Sequence, residues 1–190
     1  NRFPRLIRDL SAKLDKQVEL KITGGGTELD KTVLEKISDP LVHLVRNSMD
    51  HGIETPDTRR AAGKSETGTL TLNAYHQGGN IVIEVIDDGA GLHTEKIRSK
   101  ARERGVIAAD AEVSDEQVNN LIFDAGFSTA DEVSDVSGRG VGMDVVRRNI
   151  QDLGGSVVVD TIAGKGSIFT IRLPLTLAIL DGQLVRVGDQ

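Results

Sequence analysis

The sequence predicts a two-layer α+β sandwich: a mixed, mostly antiparallel sheet with helices on one face. Two pairs of strand-like runs, 69–76 with 80–86 and 156–162 with 167–173, flank short glycine-containing turns and read as β-hairpins. Helical stretches separate the two pairs, and the strict strand–helix alternation of a doubly wound sheet is missing. Phe3, Leu6, Ile7, Leu10 and Leu14 recur at helical spacing, and Val18, Leu20 and Ile22 then alternate as a strand up to Gly24, Gly25 and Gly26. Residues 29–37 are helical in pattern. Asp39 followed by Pro40 predicts the start of a separate helix that runs to about Asp50 and stops at Gly52. Further helices are expected over 94–104, 114–123 and, after a glycine-rich turn, 141–153, the last closed by Gly154 and Gly155. The interval 91–138 has the weakest pattern, and an excursion of that length in a compact domain is usually a functional lid or a disordered segment.

Composition narrows the function. With 190 residues, 38% hydrophobic and 27% charged, the chain is expected to form one globular domain. No apolar run approaches the ~18 residues that a membrane span needs. A net charge of −6 and five aromatic residues leave neither a cationic surface nor a stacking platform for nucleic acid. There are no cysteines, which excludes disulfides, thiolate zinc sites and a cysteine nucleophile and suits a reducing cytoplasm. The chain begins at Asn1 without an initiator Met, and its last residues, including Gln183 to Val187, alternate like a strand without a partner. A domain cut from a longer protein is expected, with residues 1–180 as the domain and 181–190 as the start of a following one.

Three features are suited to chemistry. On an ideal helix His43, Asn47, Asp50 and His51 fall within an arc of roughly 100°, a polar stripe between apolar flanks. Asn and neutral His can ligate a metal, and His can exchange a proton near neutral pH. Asp87, Asp88, Gly89, Ala90 and Gly91 follow an apolar strand; a carboxylate there can accept a hydrogen bond from an exocyclic amino group, and the glycines allow close approach. Gly138, Arg139, Gly140, Val141, Gly142 and Met143 precede a helix and can present N–H groups to phosphate. The first two also have plain readings, a solvated helix face and an ordinary turn; for the third a Rossmann fingerprint is set aside, because its glycine spacing differs and no buried strand precedes it. Lys96 and Lys100, four apart on one helix face, can reach phosphate or simply face water. Gly63, Lys64 and Ser65 resemble the end of a Walker A loop, but position 58 is Thr and no strand precedes it, so that match is set aside.

The order of the features is more specific than any one of them. His43-x-x-x-Asn47, Asp87-x-Gly89-x-Gly91, Phe127-Ser128-Thr129, Gly138-x-Gly140-x-Gly142 and Gly164-x-Gly166-Ser167 resemble, in sequence, the five boxes of the gyrase, Hsp90, histidine kinase and MutL ATPase superfamily. Leu44 to Asn47, Asp50 to Glu54, Phe127 to Ala130, Ser137 to Val145 and Ile171 to Ala178 are similar to the catalytic domain of chemotaxis histidine kinases. The resemblance covers roughly residues 1–180. It implies the Bergerat fold with an ATP lid at about 92–137, and ATP and Mg²⁺ as cofactors. Asp87 would accept the adenine N6 hydrogen bond, with Gly91 in contact and Ser167 helping through water. Asn47 and His51 would hold Mg²⁺. Gly138, Gly140 and Gly142 would donate N–H groups to the phosphates, with Lys96, Lys100, Ser128 and Thr129 as further contacts. Asp50, Gly89, Arg139, Val141 and Met143 would also lie along the nucleotide.

Many superfamily ATPases have Glu where this chain has His43, and that Glu activates water. An imidazole there suits orienting the reacting groups or accepting a proton during transfer to histidine, and so favours a kinase over an ATP-driven clamp; the intact boxes argue against a non-catalytic nucleotide scaffold. Ser167 replaces the usual Thr and keeps the hydroxyl. The resemblance further implies a histidine-bearing phosphoacceptor domain of the same kinase, reached in trans within a dimer, and a downstream response regulator. A coupling protein and chemoreceptors would bind through a regulatory domain and recruit the kinase to membrane receptor arrays. This piece alone is expected to be a monomer.

Overall fold

The computed structural model describes residues 3–23, 31–124 and 142–174. The N-terminal helix α1, Phe3–Leu14, packs Ile7 and Leu10 into the core and leads into β1, Val18–Thr23. Next comes α2, Lys31–Asn47, which runs straight through Pro40. The two helices expected from Asp39-Pro40 are therefore one. Proline lacks the N–H for its i−4 bond, a cost of about 3 kcal/mol in a helix interior, but Ile37, Leu41, Leu44 and Val45 bury this face almost completely and outweigh it.

After Asn47 the helix widens into a π turn, Ser48–Gly52, closed by the Ile53 N–H donating to Ser48 O at 2.8 Å. A short helix α3, Pro56–Ala61, follows, capped by Thr55 with proline at its first position. Strands β2, Gly68–Gln77, and β3, Asn80–Asp87, form the first hairpin. Helices α4, Thr94–Glu103, and α5, Asp115–Asn120, lead through a 3₁₀ turn, Leu121–Phe123, and α6 covers Met143–Asp152. Strands β4, Ser156–Ile162, and β5, Gly166–Pro174, form the second hairpin.

The sheet order is β1-β2-β3-β5-β4, with β1 parallel to β2 and every other pair antiparallel. One face carries Leu70, Ile83, Val85, Val159, Phe169 and Ile171, buried beneath α1, α2 and α6. Phe123 meets Phe169 edge to face with ring centres 6.3 Å apart, which seats the 3₁₀ turn on this core. The opposite face is largely polar, with Asn73 bonded to Glu84, and leaves Val158, Ile162 and Ile168 exposed. Within the expected lid, α4 and α5 close over a small apolar cluster of their own, Ile97, Ala101 and Val118. The expected boundary near residue 180 and the glycines at 24–26 lie outside the described residues.

Candidate functional site

Alternation along β3 turns Asp87, its last residue, toward the core side, where it is 4% exposed. Burial pushes the carboxyl up to about 6, opposed by the Gly89 N–H, the nearby Ser48 hydroxyl and the Ser167 backbone, and helped by the charge of Asp88. The Gly89 N–H donates to Asp87 Oδ1 at 2.9 Å. Ser48 Oγ lies near enough to favour the ionised form, yet this buried hydroxyl has no hydrogen-bond partner of ordinary geometry in the structure. A Cβ on Gly52 would stand 3.2 Å from Asp87 Oδ2, so glycine there keeps the carboxylate uncrowded.

The surrounding loops are tied together by backbone. Ala90 N donates to Gly52 O at 2.9 Å, and Gly164 N to Ala90 O at 2.7 Å. A Cβ on Gly89 would meet Gly52 O at 2.0 Å; one on Gly91, whose φ is +80°, would meet Ile162 O at 2.7 Å. Both glycines are thus required by the packing of the protein against itself. Ser167 pairs with Asp87 across β5 and β3, and its hydroxyl lies 3.0 Å from Thr161 Oγ1, which also accepts the Leu92 N–H at 2.8 Å.

On the other side stand α2 and the π turn. His43 and Asn47 are half-buried on α2, whereas Asp50 and His51 belong to the π turn, so the four do not continue one ideal helical stripe. His51 Nε2 is 3.5 Å from Asp50 Oδ2 and reaches solvent. Lys16 holds this turn from α1's end, donating to Met49 O at 2.7 Å and Asp50 O at 2.9 Å. Burial lowers its pKa against the opposing charges of Asp50 and Glu54.

A cavity of about 730 Å³ opens beside Thr161 and Ala163, bounded by Leu92, Lys96, Asp115 and Asn119. Lys96 reaches it; Lys100 is not among its walls. Gly142 caps α6, and the Met143 side chain is buried in the main core, which leaves its backbone N–H as the group available to a ligand. Ser128, Thr129, Gly138, Arg139, Gly140 and Val141 lie outside the described residues.

Sequence reasoning did not anticipate the charged cluster under Asp88 and Gly89. Arg59, 1% exposed, donates to Glu54 Oε1 at 2.9 Å, Ser65 O at 2.6 Å, Asp88 O at 3.1 Å and Asp88 Oδ2 at 3.2 Å. Lys64 Nζ donates to Glu54 Oε2 at 2.8 Å, Asp88 O at 3.1 Å and Gly89 O at 2.8 Å. Burial would raise the Glu54 carboxyl, but Lys64 and Arg59 more than offset it and hold it below the usual range. Thr55-Pro56 ahead of Arg59 and the lysine of the Walker-like triplet were the signals in the sequence.

A buried carboxylate at a strand end, with hydroxyls beside it, can accept from the exocyclic donor of a nitrogenous ring, although Asp87 is not among the walls of the cavity beside Thr161. The family of histidine kinase-, DNA gyrase B- and HSP90-like ATPases matches residues 36–177. The chain belongs to this ATPase family. Over its whole length the ATPase domain is 64% identical to the chemotaxis protein CheA of Klebsiella aerogenes, and over 192 aligned residues it is 56% identical to CheA of Bacillus subtilis. It spans 29% of the length of each of these relatives. Among solved structures, the nucleotide-free catalytic domain of histidine kinase ThkA superposes with a TM-score of 0.50 at 17% identity, covering 92% of both chains, a likeness of fold. Family membership makes this an ATP-binding domain, and among the described residues no helix is long and apolar enough to cross a membrane.

Proposed function

We propose that this domain is the catalytic part of a chemotaxis protein histidine kinase, transferring the γ-phosphoryl group of ATP to a histidine on a separate phosphoacceptor domain. The observation that carries the reading is Asp87, a buried carboxylate at the end of β3 beside Ser48 and Ser167, in a chain that aligns end to end with chemotaxis proteins CheA. Ionised Asp87 accepts from the adenine amino group and Ser167 supports the same edge. Lys96 faces the phosphates from α4, with Lys100, Ser128 and Thr129 as further contacts. Gly138 to Gly142, with the first turn of α6, provide N–H groups to the phosphate oxygens.

Among the described residues no three carboxylate or imidazole side chains converge, so these residues offer no complete metal cage. A Mg²⁺ carried by the nucleotide needs only one or two protein ligands, and Asn47 and His51 suit that role. When bound, the ion neutralises charge on the phosphate oxygens. His43 would orient the reacting groups or receive a proton. Catalysis here is positioning and charge neutralisation. The acceptor domain, the dimer that presents it in trans, the response regulator, and the coupling protein and receptors that bring the kinase to the membrane complete the proposal, with cytoplasmic location. The stretch 92–137 serves as the lid.

The test has two stages. Calorimetric titration with Mg-ATP and Mg-GTP should show magnesium-dependent, adenine-selective binding that Asp87→Asn weakens. Labelled ATP and a histidine-bearing acceptor domain should then yield acid-labile phosphohistidine. Steady phosphate release with no acceptor present, or tight binding with no transfer, would replace the kinase reading by a clamp or a scaffold.

A further inference from the structure

The Asp88 C=O and the Gly89 N–H belong to one peptide group. At its oxygen end two cations converge, Arg59 Nη1 and Lys64 Nζ, each 3.1 Å away. At its nitrogen end the N–H donates to the buried Asp87 carboxylate. Lys64 also grips the next carbonyl, Gly89 O, at 2.8 Å, while Asp88's own carboxylate is fixed by the Thr69 N–H at 2.8 Å and by Arg59. Glu54 bridges the cations and is 11% exposed, against 2% and 18% for the Arg59 and Lys64 side chains.

Burying a guanidinium this completely is costly unless its donors are used, so the cluster is by itself weak evidence of a stabilising role. Here three of the seven donated bonds go to the Asp88 and Gly89 carbonyls and one to the Asp88 carboxylate, while two hold Glu54 and one reaches Ser65 O. Cations at the oxygen of a peptide polarise it and strengthen the donor at its other end, and the effect is larger where water is excluded. The geometry points to Arg59 and Lys64, bridged by Glu54, as positioning residues for adenine recognition: they hold the Asp88–Gly89 peptide so that its N–H fixes the Asp87 carboxylate toward the base. This rests on the nucleotide reading above. Lys64 reaches no ligand in this role; it acts through the main chain from behind the site, opposite to the phosphate-binding lysine its flanking residues resemble.

The discriminating measurement is nucleobase selectivity. Titrating the 190-residue chain with Mg-ATP and with the triphosphate of purine riboside, which lacks the 6-amino group, gives the ratio of the two affinities. In Lys64→Met the affinity for ATP should fall by roughly 5-fold, the equivalent of one hydrogen bond, while the affinity for the purine analogue stays within about 2-fold. Lys64→Arg, which keeps a cationic donor, should restore most of the selectivity. An equal loss for both nucleotides, or no loss for either, overturns the inference and leaves a purely structural ion cluster. Should Lys64→Met fail to fold, Glu54→Gln, which removes the anchor but keeps both cations, takes the same titrations: a loss confined to ATP supports the inference, and an equal loss or none overturns it. A native chain that binds both nucleotides equally would instead remove Asp87 from adenine recognition, and the inference with it.

Discussion

Asp87 is a buried carboxylate whose ionisation costs the folded domain stability. Its folded pKa of about 6 lies above its ordinary 3.8, so the folded state favours the protonated carboxyl. The sign follows from linkage: between those two values the folded state binds more protons than the unfolded, and stability falls as pH rises. Above pH 6 the cost is fully present, on the order of 3 kcal/mol. Asp87→Asn should therefore raise the urea midpoint of the ligand-free domain at about pH 7.5, with a gain that shrinks toward about pH 4, while its loss of ATP affinity is largest above about pH 6, where the native carboxylate is ionised. A variant no more stable than the native chain under the alkaline condition would contradict the burial argument. Gly89→Ala has the opposite character. Its Cβ would overlap Gly52 O at 2.0 Å, so the turn must shift, and a loss of about 1–3 kcal/mol is expected in denaturant titrations before any nucleotide is added. The place of Asp87 and its glycines at the end of an apolar strand was readable in the sequence. That these glycines face the protein's own backbone was not, because it depends on loops that meet only in the folded chain.

The hairpins were readable because a period of two and a glycine turn leave little choice of partner. Pro40 misled because local chemistry argues for a helix start, whereas the buried faces on either side of it argue for continuity and prevail. The π turn has no sequence signature of its own; it follows from closing Ile53 N–H on Ser48 O and from a lysine 33 residues away that reaches Met49 O. Helix α5 is held to the sheet by Asn120, whose side chain accepts the Val159 N–H at 2.9 Å and donates to Val159 O at 3.3 Å. Asn120→Ala removes both bonds and leaves the Val159 backbone groups to water. It should cost about 1–3 kcal/mol, and amide hydrogen exchange should localise the loosening to α4, α5 and β4 rather than to β2 and β3.

In the whole molecule, sequence order and spatial order diverge. Strand β5 lies between β3 and β4, while β1 pairs with a strand about 50 residues away in sequence, Val18 with Gly68, at the sheet's outer edge. Ile171→Ala, in a fully buried position on β5, should lower stability by about 2–5 kcal/mol and weaken the entire sheet, as a melting curve would record. Edge strand β1 is only half-covered and has no such leverage on the core. What it and α1 do have is Lys16, at the junction between them, fastened to the carbonyls of the turn that carries Asp50 and His51. Thermodynamic reciprocity then applies. If freeing that lysine reduces nucleotide affinity by some factor, a bound nucleotide must resist detachment of the N-terminal edge by the same factor. A force or a docking event that peels α1 and β1 outward would thereby act as a competitor of ATP without entering its pocket, and ATP would act as a fastener at an edge it never touches.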